Sequence, residues 1–427
     1  MLSLRRVLIA NRGEIATRIA RAAAGLGMES VSVHAAVDAD SLHTRMSDTT
    51  VALSDVPTAD PIAQYLDIER LIAIAQETDC DCVHPGYGFL SESAEFAARC
   101  AAAGLTFIGP SPSVLSLFGD KVAAKQLAMT VDVPVIGGSE TAVTSASAAA
   151  EAAERVGYPV MLKAAAGGGG RGMRAVSEAA ELDEAFERCR SEAEAAFGDG
   201  SVFVEKLIES PRHIEVQILA DSAGAAVHLY ERDCSVQLRN QKVVEIAPAP
   251  ELDAELRTRL HDDAVKLVTA ADYCNAGTVE FLVSPESGEY WFIECNPRIQ
   301  VEHTVTEEVT GVDLVEAQFR IADGASMADI GLATQIDVPS PRGFAVQARV
   351  VATSAGTISA YQEPSGPGIR VDANGYAGYA PPPQFDPLFA KVIGHSGATI
   401  EAAVARTRRA VDAFQVSGIT TLSLIHI

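Results

Sequence analysis

The sequence predicts an α/β fold divided into two or three domains that share interfaces. Its 427 residues exceed the usual size of a single core, and its 48% hydrophobic and 21% charged residues are ordinary for a globular protein. Between residues 6 and 34 a strand, a helix and a second strand follow one another. This βαβ order predicts a parallel sheet. From about residue 335 the composition changes, and residues 356–387 are rich in glycine, proline and tyrosine, which indicates a turn-rich β region.

Net charge and composition narrow the possible partners. The formal net charge of −24 disfavours nucleic acid and anionic membranes, so an anionic substrate needs a local basic cluster. No apolar run is long enough to span a bilayer, and the four apolar residues after Arg6 are too few for a signal peptide. Seven scattered cysteines indicate reduced thiols. We therefore predict a cytoplasmic protein with neither nucleic acid nor membrane as a partner.

The first domain is predicted to open with a strand at residues 7–10 and a helix from about 14 to 25, where apolar residues repeat at helical spacing. The segment Asn11–Glu14 lies at the carboxyl end of this strand, where open α/β sheets bind ligands. It lacks the full GxGxxG pattern, so it indicates a dinucleotide site only weakly. A second unit with the loop Pro85–Glu92, and a strand at 106–108, complete the domain near residue 113.

A glycine-rich loop gives the first strong functional signal. An apolar strand ends in Lys163, and the chain continues as AAAGGGGRGM. Its glycines, including Gly169 and Gly170, allow backbone N–H groups to approach an anion closely. Lys163 and Arg171 add the positive charge that phosphates need. The loop is not a P-loop, because no Gly-Lys-Ser/Thr follows. A flexible linker is the alternative, but a linker seldom follows a buried strand that ends in lysine, and we favour a phosphate-binding flap.

The following segments add a nucleotide edge and a basic cluster. The strand at residues 202–208 exposes backbone that can serve as a hinge for an adenine ring. Residues 211–217 alternate polar and apolar positions, which places His213, Glu215 and Gln217 together on the polar face of a half-buried strand. For His213, an ordinary core or surface histidine is the alternative. Residues 231–242 form a cationic segment suited to anion capture. Lys121 opens a predicted helix and, taken alone, is one exposed lysine among many.

The strongest signal is the run ECNPRIQVEH, from Glu294 to His303, which directly follows an apolar strand. The preceding strand carries one carboxylate, Glu280, and a hairpin returns the chain through Glu294. Adjacent antiparallel strands would place these two carboxylates side by side, with Asn296 nearby. Such an oxygen site suits Mg²⁺ or Mn²⁺ rather than Zn²⁺. The alternatives are a solvated, charge-paired loop and a carboxylate pair held apart by arginines.

Taken together, these motifs resemble the biotin carboxylase family. The runs KAAAGGGGRGM, ERDCSVQLRNQKVVEIAPAP, VEFL and ECNPRIQVEH occur in the family's order, as do IANRGEIA, HPGYGFLSE, YAGY and FDPL. The resemblance covers nearly the whole chain and implies three domains. They are a Rossmann-like N-terminal (pre-ATP-grasp) domain at 1–113, an ATP-grasp domain at 114–330 with a mobile lid at about 132–204, and an α+β C-terminal biotin carboxylase domain at 335–427, which we interpret as truncated at its end.

The resemblance implies a two-step reaction. ATP phosphorylates bicarbonate to carboxyphosphate, and the carboxyl group then passes to N1′ of biotin. The implied cofactors are ATP and two Mg²⁺ or Mn²⁺ ions, with biotin as a substrate on a carrier domain. The implied ATP-binding residues are Lys121, Lys163, Gly169, Gly170, Glu205, Lys206, Leu207, Ile208, His213, Asn240 and Glu280. Among them, residues 205–208 would hold the adenine.

The remaining implied roles concern the metal, bicarbonate and biotin. The implied metal ligands are Glu280, Glu294 and Asn296. The residues that resemble the bicarbonate pocket are Lys242, Arg298, Gln300 and the backbone of Val301. Glu302 is the implied base that deprotonates bicarbonate, and Arg349 is implied to stabilise the biotin enolate. Lys242, Arg298, Glu302 and Arg349 form the implied catalytic set.

Three positions bear on the finer placement within the family. Asn240 stands where many members have a histidine near ATP, so we expect a different nucleotide contact there. Ala166 stands where members often have a further glycine, so we expect a stiffer base of the flap. Thr304 stands where stand-alone subunits commonly have proline, which makes the chain more similar to the multidomain pyruvate and acyl-CoA carboxylases. An acetyl-CoA carboxylase of fatty acid biosynthesis and a pyruvate carboxylase are both compatible with this pattern.

The chain has no Ala-Met-Lys-Met biotin attachment motif. We therefore expect a biotin carboxyl carrier domain or protein and a carboxyltransferase domain or subunit as partners, within a homodimer or a larger oligomer. Two other functions compete. One is a different ATP-grasp ligase: a carbamoyl-phosphate synthetase-like enzyme should lack the RIQVEH pocket, whereas a urea carboxylase would share it. The other is a catalytically inactive nucleotide-binding scaffold, which predicts loss of the base or metal carboxylates, yet these residues are all present.

Overall fold

The computed structural model describes residues 2–54, 60–139, 141–165 and 172–422. It confirms the α/β fold. The helices are α1 (Gly13–Gly25), α2 (Leu42–Met46), α3 (Pro61–Tyr65), α4 (Ile68–Glu77), α5 (Ala94–Ala102), α6 (Pro112–Gly119), α7 (Lys121–Thr130), α8 (Ala146–Val156), α9 (Ala179–Phe197), α10 (Ala254–Ala270), α11 (His303–Thr310), α12 (Leu314–Ala322) and α13 (Ile400–Ala413).

The strands alternate with these helices in the first third of the chain and dominate the rest. They are β1 (Arg6–Ile9), β2 (Glu29–His34), β3 (Thr49–Ala52), β4 (Cys82–His84), β5 (Thr106–Phe107), β6 (Val160–Ala164), β7 (Met173–Val176), β8 (Val202–Lys206), β9 (Arg212–Ala220), β10 (Ala226–Leu238), β11 (Gln241–Ala247), β12 (Asn275–Val283), β13 (Tyr290–Asn296), β14 (Phe344–Ala352), β15 (Ala360–Gln362), β16 (Ile369–Ala373), β17 (Leu388–Ser396), β18 (Gln415–Ser417) and β19 (Thr421–Leu422). Within the described part of the chain, no helix combines the length and the apolar character needed to cross a membrane. All seven cysteines are free thiols.

The N-terminal sheet is parallel, as the βαβ start predicts, with strand order β3-β2-β1-β4-β5. Helix α1 buries Ile15 and Ile19 in the apolar core beside it. At the carboxyl end of β1, the Asn11 side chain donates to the carbonyl oxygens of Pro85 (2.6 Å) and Tyr87 (2.8 Å). These bonds hold the loop that follows β4 close to the start of α1.

Arg12 docks this sheet onto the C-terminal part of the chain. Its Nε donates to Asp38 Oδ2 at 2.6 Å, and its guanidinium lies 4.0 Å over the Phe385 ring. Its Nη2 also lies 3.5 Å from the Tyr379 hydroxyl. The position of Asn11–Glu14 predicted a ligand site, but the structure uses Asn11 and Arg12 for contacts between segments.

Nine strands form a second sheet, with the order β13-β12-β9-β10-β11-β14-β17-β16 and β19 attached to β14. Its pairings are antiparallel. The β11–β14 pair, which runs from Val244↔Ala348 to Ala247↔Ala345, carries the sheet from the central into the C-terminal part of the chain. The domain boundaries near residues 113, 330 and 335 stay predictions, and this sheet crosses the last of them.

A separate three-stranded sheet, ordered β7-β6-β8, packs with α8 and α9 around its own apolar cluster. This unit lies within the segment predicted to be the lid, whose mobility stays a prediction. The predicted glycine flap, with Ala166, Gly169, Gly170 and Arg171, lies outside the described residues. Residues 423–427, on which the predicted truncation rests, also lie outside it.

Candidate active site

A row of ionisable side chains crosses four neighbouring strands of the large sheet. Cross-strand register pairs Arg232 with Glu215, Glu215 with Glu280, and Glu280 with Glu294. Directly opposite residues of antiparallel strands point to the same face, so all four side chains share one surface. The predicted proximity of Glu280 and Glu294 is confirmed. The row extends further than predicted, because Glu215 and Arg232 belong to it.

Two of the three carboxylates of this row, Glu280 and Glu294, suit a divalent cation. Burial and the charge of Glu280 raise the pKa of Glu294, while the positive charge of Lys121 lowers it in part. Among the described residues, the Glu294 carboxylate accepts no hydrogen bond, whereas Asn296 Nδ2 donates to Glu280 Oε1 at 2.9 Å. Glu280 is already paired with Lys242 and His213, so the repulsion between the two buried carboxylates acts mainly on Glu294. The oxygen donors of Glu280, Glu294 and Asn296 therefore fit Mg²⁺ or Mn²⁺, and their role as ligands stays a prediction.

Lys242 lies at the centre of the site. Its Nζ donates to Glu215 Oε2 (2.5 Å), Glu280 Oε1 (2.9 Å) and Glu302 Oε1 (2.8 Å). Burial would lower the pKa of Lys242, but the charges of these carboxylates raise it well above the ordinary value. The side chain is therefore a permanent cation shared by three anions. An incoming anion at this point would meet a charge that is already in place.

Glu302, at the N-terminus of α11, is held between two cations. One oxygen accepts from Lys242, and the other accepts from Arg349 Nη2 at 3.3 Å. Burial would raise the pKa of Glu302, but Lys242 and Arg349 hold it well below its usual range. Arg349 in turn donates through Nε to Glu245 Oε1 at 2.6 Å. The carboxylate is thus ionised at neutral pH and able to accept a proton, and its basicity is set by the nearby cations.

The residues between β13 and α11 are fixed by hydrogen bonds. Arg298 donates through Nε to Glu92 Oε1 at 2.6 Å and through Nη2 to Asn296 Oδ1 at 2.9 Å. Gln300 Nε2 donates to Glu280 Oε1 at 2.8 Å. The predicted bicarbonate residues Lys242, Arg298 and Gln300 therefore all bond to the carboxylate cluster or to its Asn296 neighbour. Glu92, from the N-terminal loop, was not predicted.

In the region predicted to bind the nucleotide, the Glu205 carboxylate, near the end of β8, accepts hydrogen bonds from two lysines. Lys163 Nζ donates to Glu205 Oε2 at 2.6 Å, and Lys125 Nζ to Oε1 at 3.5 Å. Burial would raise the pKa of Glu205, and these lysines lower it. Lys121 follows Asp120, whose carboxylate caps α7 by accepting from two backbone N–H groups. Desolvation lowers the pKa of Lys121, as does the charge of Lys163, whereas the charge of Glu294 opposes this lowering.

His213 lies beside Glu280 of the carboxylate row. Its Nε2 lies 2.7 Å from Glu280 Oε2, and its Nδ1 lies 3.1 Å from Gln237 Nε2. Burial would lower the pKa of His213, but Glu280 raises it above the ordinary value. His213 therefore bonds to the carboxylate cluster, and its role as an ATP ligand stays a prediction.

In the segment predicted to hold the adenine, residues 205–208, one backbone N–H has no acceptor among the described residues. Lys206 uses its side chain for the carbonyl oxygens of Gly157 and Tyr158, both at 3.0 Å. The backbone N–H of Lys206 donates to the protein, as does that of Leu207. Among the described residues, the Ile208 N–H has no protein acceptor.

Asn240 is exposed at the tip of the β10–β11 hairpin with φ +62°, a conformation that Asn tolerates. In the described part of the chain, no hydrogen bond links Asn240 to the other predicted ATP ligands.

Arg232 is a central residue of the site that the local sequence patterns did not predict. It is fully buried and donates to Glu215 Oε1 (2.5 Å), Gln217 Oε1 (2.7 Å) and Gln300 Oε1 (2.6 Å). It thereby orients Gln300 toward the carboxylates. An arginine next to an aspartate in a cationic segment gave no local signal. The alternation of His213, Glu215 and Gln217 did mark Glu215, because all three lie on the polar face of one strand.

Comparisons with known proteins agree with this geometry. Residues 3–115 match the family described as "Biotin carboxylase, N-terminal domain". Residues 120–330 match "Carbamoyl-phosphate synthase L chain, ATP binding domain", and residues 346–426 match "Biotin carboxylase C-terminal domain". Together these matches span most of the chain and include all the site residues described above.

Similar proteins include pyruvate carboxylases. The chain is 47% identical over 425 residues to pyruvate carboxylase of Schizosaccharomyces pombe, with 97% of this chain covered, and 47% identical over 428 residues to human mitochondrial pyruvate carboxylase, with 98% covered. It spans 36% of the length of each. It is also similar to the biotin carboxylase domain of the Hydrogenobacter thermophilus 2-oxoglutarate carboxylase, solved as a dimer with MgADP, ADP and bicarbonate. That match has 41% identity and a TM-score of 0.93, and covers 99% of this chain and 92% of that one. The chain therefore belongs to the biotin carboxylase family, the ATP-grasp ligases that carboxylate biotin with bicarbonate and ATP.

Proposed function

We propose that this chain carries out the biotin carboxylase half-reaction of a pyruvate carboxylase-type enzyme. The observation that carries the proposal is the placement of Glu302 between Lys242 and Arg349, beside the Glu280–Glu294 pair. An ionised carboxylate, a fixed cation and a metal-type carboxylate pair within one cluster suit phosphoryl transfer to a small oxyanion. The names of the similar proteins favour pyruvate as the final acceptor over the acetyl-CoA of fatty acid biosynthesis.

The nucleotide is held on the side of Lys121, Lys163 and His213. The two lysines neutralise phosphate oxygens, and the family resemblance assigns Gly169 and Gly170, which lie outside the described residues, to the same phosphates. The adenine lies against residues 205–208, where the Ile208 N–H is the open donor. Lys163 is bound to Glu205 at 2.6 Å, so phosphate must compete with that carboxylate for the ammonium. His213 contacts the phosphates from its place beside Glu280.

The metal site is formed by Glu280, Glu294 and Asn296, which we propose to hold two Mg²⁺ or Mn²⁺ ions. Bound there, the ions would neutralise the charge of the phosphates during transfer. Glu280 already accepts from Lys242 and His213. These two cations keep Glu280 ionised and ready to bind metal.

Bicarbonate binds between Lys242, Arg298, Gln300 and the N–H of Val301. Glu302 takes its proton, and a bicarbonate oxygen then attacks the γ-phosphorus of ATP, which releases ADP and forms carboxyphosphate. When bicarbonate draws Lys242 toward itself, Glu302 loses part of the positive charge that lowers its pKa and becomes a stronger base. The carboxyl group then replaces the proton on N1′ of biotin, and the phosphate that is released takes up that proton. Arg349 stabilises the enolate oxygen of biotin.

Biotin arrives on a carrier domain or protein, and a carboxyltransferase domain or subunit uses the product. We propose a homodimer or a larger oligomer, in keeping with the dimer reported for the Hydrogenobacter domain. A cytoplasmic location stays a prediction, since the human relative is named as mitochondrial.

The test is ADP release by this chain with and without bicarbonate and free biotin. ADP release that requires bicarbonate and rises with biotin is expected. Nucleotide binding without bicarbonate-dependent turnover would instead favour the inactive scaffold. Fixation of labelled bicarbonate into pyruvate or acetyl-CoA, after a carboxyltransferase is added, distinguishes the two acceptors.

A further inference from the structure

Lys391 is a fully buried lysine beside the active site that has no part in the proposed chemistry. It lies on β17, and its Nζ contacts three different segments of the chain. The Val301 carbonyl oxygen lies at 3.1 Å, Glu14 Oε2 at 3.1 Å and Asp372 Oδ2 at 3.9 Å. A buried ammonium is costly unless it is paired, so this arrangement needs an explanation.

The sheet register places Lys391 directly opposite a residue of the site. On β17 it pairs directly with Arg349 of β14, and on its other side with Asp372 of β16. Directly opposite residues share a face, so Lys391 projects from the same surface as Arg349. The cation that bonds Val301 and the cation that bonds Glu302 are therefore cross-strand neighbours on one rigid sheet.

The contact with Val301 acts on the backbone next to the base. Val301 and Glu302 form the turn that leads into α11, and Glu302 is the residue just before its first turn. A hydrogen bond from Lys391 to the Val301 carbonyl fixes the peptide that joins these two residues. That peptide contains the Glu302 N–H, so its orientation sets the direction of the Glu302 side chain.

Glu14 supplies the opposite charge and brings in the N-terminal part of the chain. It is buried in the first turn of α1, and its other oxygen accepts from the Tyr87 hydroxyl. Tyr87 belongs to the loop that also carries Glu92, the partner of Arg298. The N-terminal sheet, the turn before α11 and the C-terminal strands therefore meet at one ammonium group.

We propose that Lys391 is a positioning residue, which holds the Val301–Glu302 turn so that Glu302 stays aligned with Lys242 and Arg349. This rests on the proposed role of Glu302 as the base. Glu14 supplies the opposite charge at 3.1 Å and so stabilises the buried ammonium, whereas the hydrogen bond to the Val301 carbonyl positions Glu302.

The test compares variants of the 427-residue chain by ADP release with bicarbonate and biotin, and by Tm. Lys391→Met removes the ammonium, and we expect kcat to fall tenfold or more while the KM for ATP changes less than about twofold, since tenfold corresponds to ~1.4 kcal/mol of barrier. The double variant Glu14→Gln/Lys391→Met removes both charges. It should recover the lost Tm and still show the low kcat. Recovery of kcat together with Tm would overturn the proposal, because Lys391 would then serve only stability.

Two controls keep the test decisive. Arg12→Met also removes a buried cation between the N-terminal and C-terminal segments, but Arg12 contacts neither Val301 nor Glu302. It should lower Tm and keep kcat. Glu14→Gln keeps the Lys391–Val301 bond, so its kcat should stay within threefold of the unmodified chain even if Lys391→Met does not fold. A tenfold loss of kcat in either control would overturn the proposal. An unmodified chain without bicarbonate-dependent turnover would instead overturn the proposed function.

Discussion

Glu302 accepts hydrogen bonds from Lys242 on one carboxylate oxygen and from Arg349 on the other. Glu302→Gln keeps the shape of this group but removes its charge and its capacity to accept a proton. We expect bicarbonate-dependent ADP release to fall by roughly 10²–10⁴-fold, the usual size of a general-base contribution. ATP binding, measured by equilibrium dialysis, should change by less than about threefold. A glutamine variant with near-normal turnover would exclude Glu302 as the base.

Removing the Lys242 cation should destabilise the protein in a pH-dependent way. Lys242→Met leaves Glu215, Glu280 and Glu302 without their shared partner, and loss of one member of a buried ionic group costs roughly 3–5 kcal/mol. The carboxylates would then have folded-state pKa values raised above their unfolded values. The loss of unfolding free energy caused by Lys242→Met is therefore largest above those pKa values, and it becomes smaller as pH falls.

Urea unfolding at pH 8 and pH 5.5 measures this difference. Lys266→Met, which removes an exposed lysine paired with Asp263, is the matched control and should be near neutral at both pH values. An equal loss for Lys242→Met at the two pH values would argue against the repulsion between carboxylates.

Glu245 should act on the biotin step through Arg349. Glu245 Oε1 accepts from Arg349, and Glu245 Oε2 accepts from Gln347 Nε2 at 2.9 Å, while Gln347 accepts from Thr304. In Glu245→Gln one of these donors faces an amide N–H₂ group. We expect the stimulation of ADP release by biotin to fall about tenfold, equivalent to ~1.4 kcal/mol, with the biotin-independent rate retained. Thr304→Val, at the far end of the relay, should cost less than about threefold; equal effects of the two variants would contradict the relay.

Metal dependence should follow the ionisation of Glu294. Its pKa is raised by burial and by Glu280, so the affinity for Mg²⁺ should fall as pH decreases through that raised pKa. We expect removal of divalent ions by EDTA to abolish ADP release and Mg²⁺ or Mn²⁺ to restore it. Glu294→Gln should raise the Mg²⁺ concentration needed and flatten its pH dependence. Glu289→Gln, an exposed carboxylate on the same hairpin bonded to Ser287, is the control and should leave both unchanged.

Acid should unfold the protein partly through His43. Gly13 N–H donates to its Nδ1 at 3.4 Å, so Nε2 must carry the proton toward the Val33 carbonyl at 3.1 Å. Burial lowers the pKa of His43 to about 4. The unfolded chain protonates near pH 6.5, so the stability from this group is complete above that pH and roughly 3 kcal/mol of it is lost as pH falls to 4. We expect urea unfolding between pH 7.5 and 4.5 to show a smaller decrease in unfolding free energy for His43→Leu than for His34→Asn. His34 is only half-buried.

Local patterns predicted the carboxylate pair and the parallel N-terminal sheet. Glu280 and Glu294 could be paired from sequence because a short hairpin joins their strands and sets the register. Arg232 could not be placed in the same way, because its bond to Gln300 joins strands and turns far apart in the chain. Lys391 did leave a local signal, as an isolated cation in the apolar run 388–394. A charge in such a run implies a buried partner, but only the fold reveals Val301 and Glu14.

The continuity of the large sheet through the β11–β14 pair limits how the protein can be divided. A fragment ending near residue 335 would remove β14 and leave the backbone groups of β11 unpaired along one side, from Val244 to Ala247. An uncovered edge strand is a template for intermolecular pairing and aggregation. That same strand carries Lys242 and Glu245, so recombinant fragments cut at this boundary would lose solubility together with the geometry of the site. By contrast, the sheet formed by β6, β7 and β8 shares no strand with its neighbours and is the natural unit for excision or grafting.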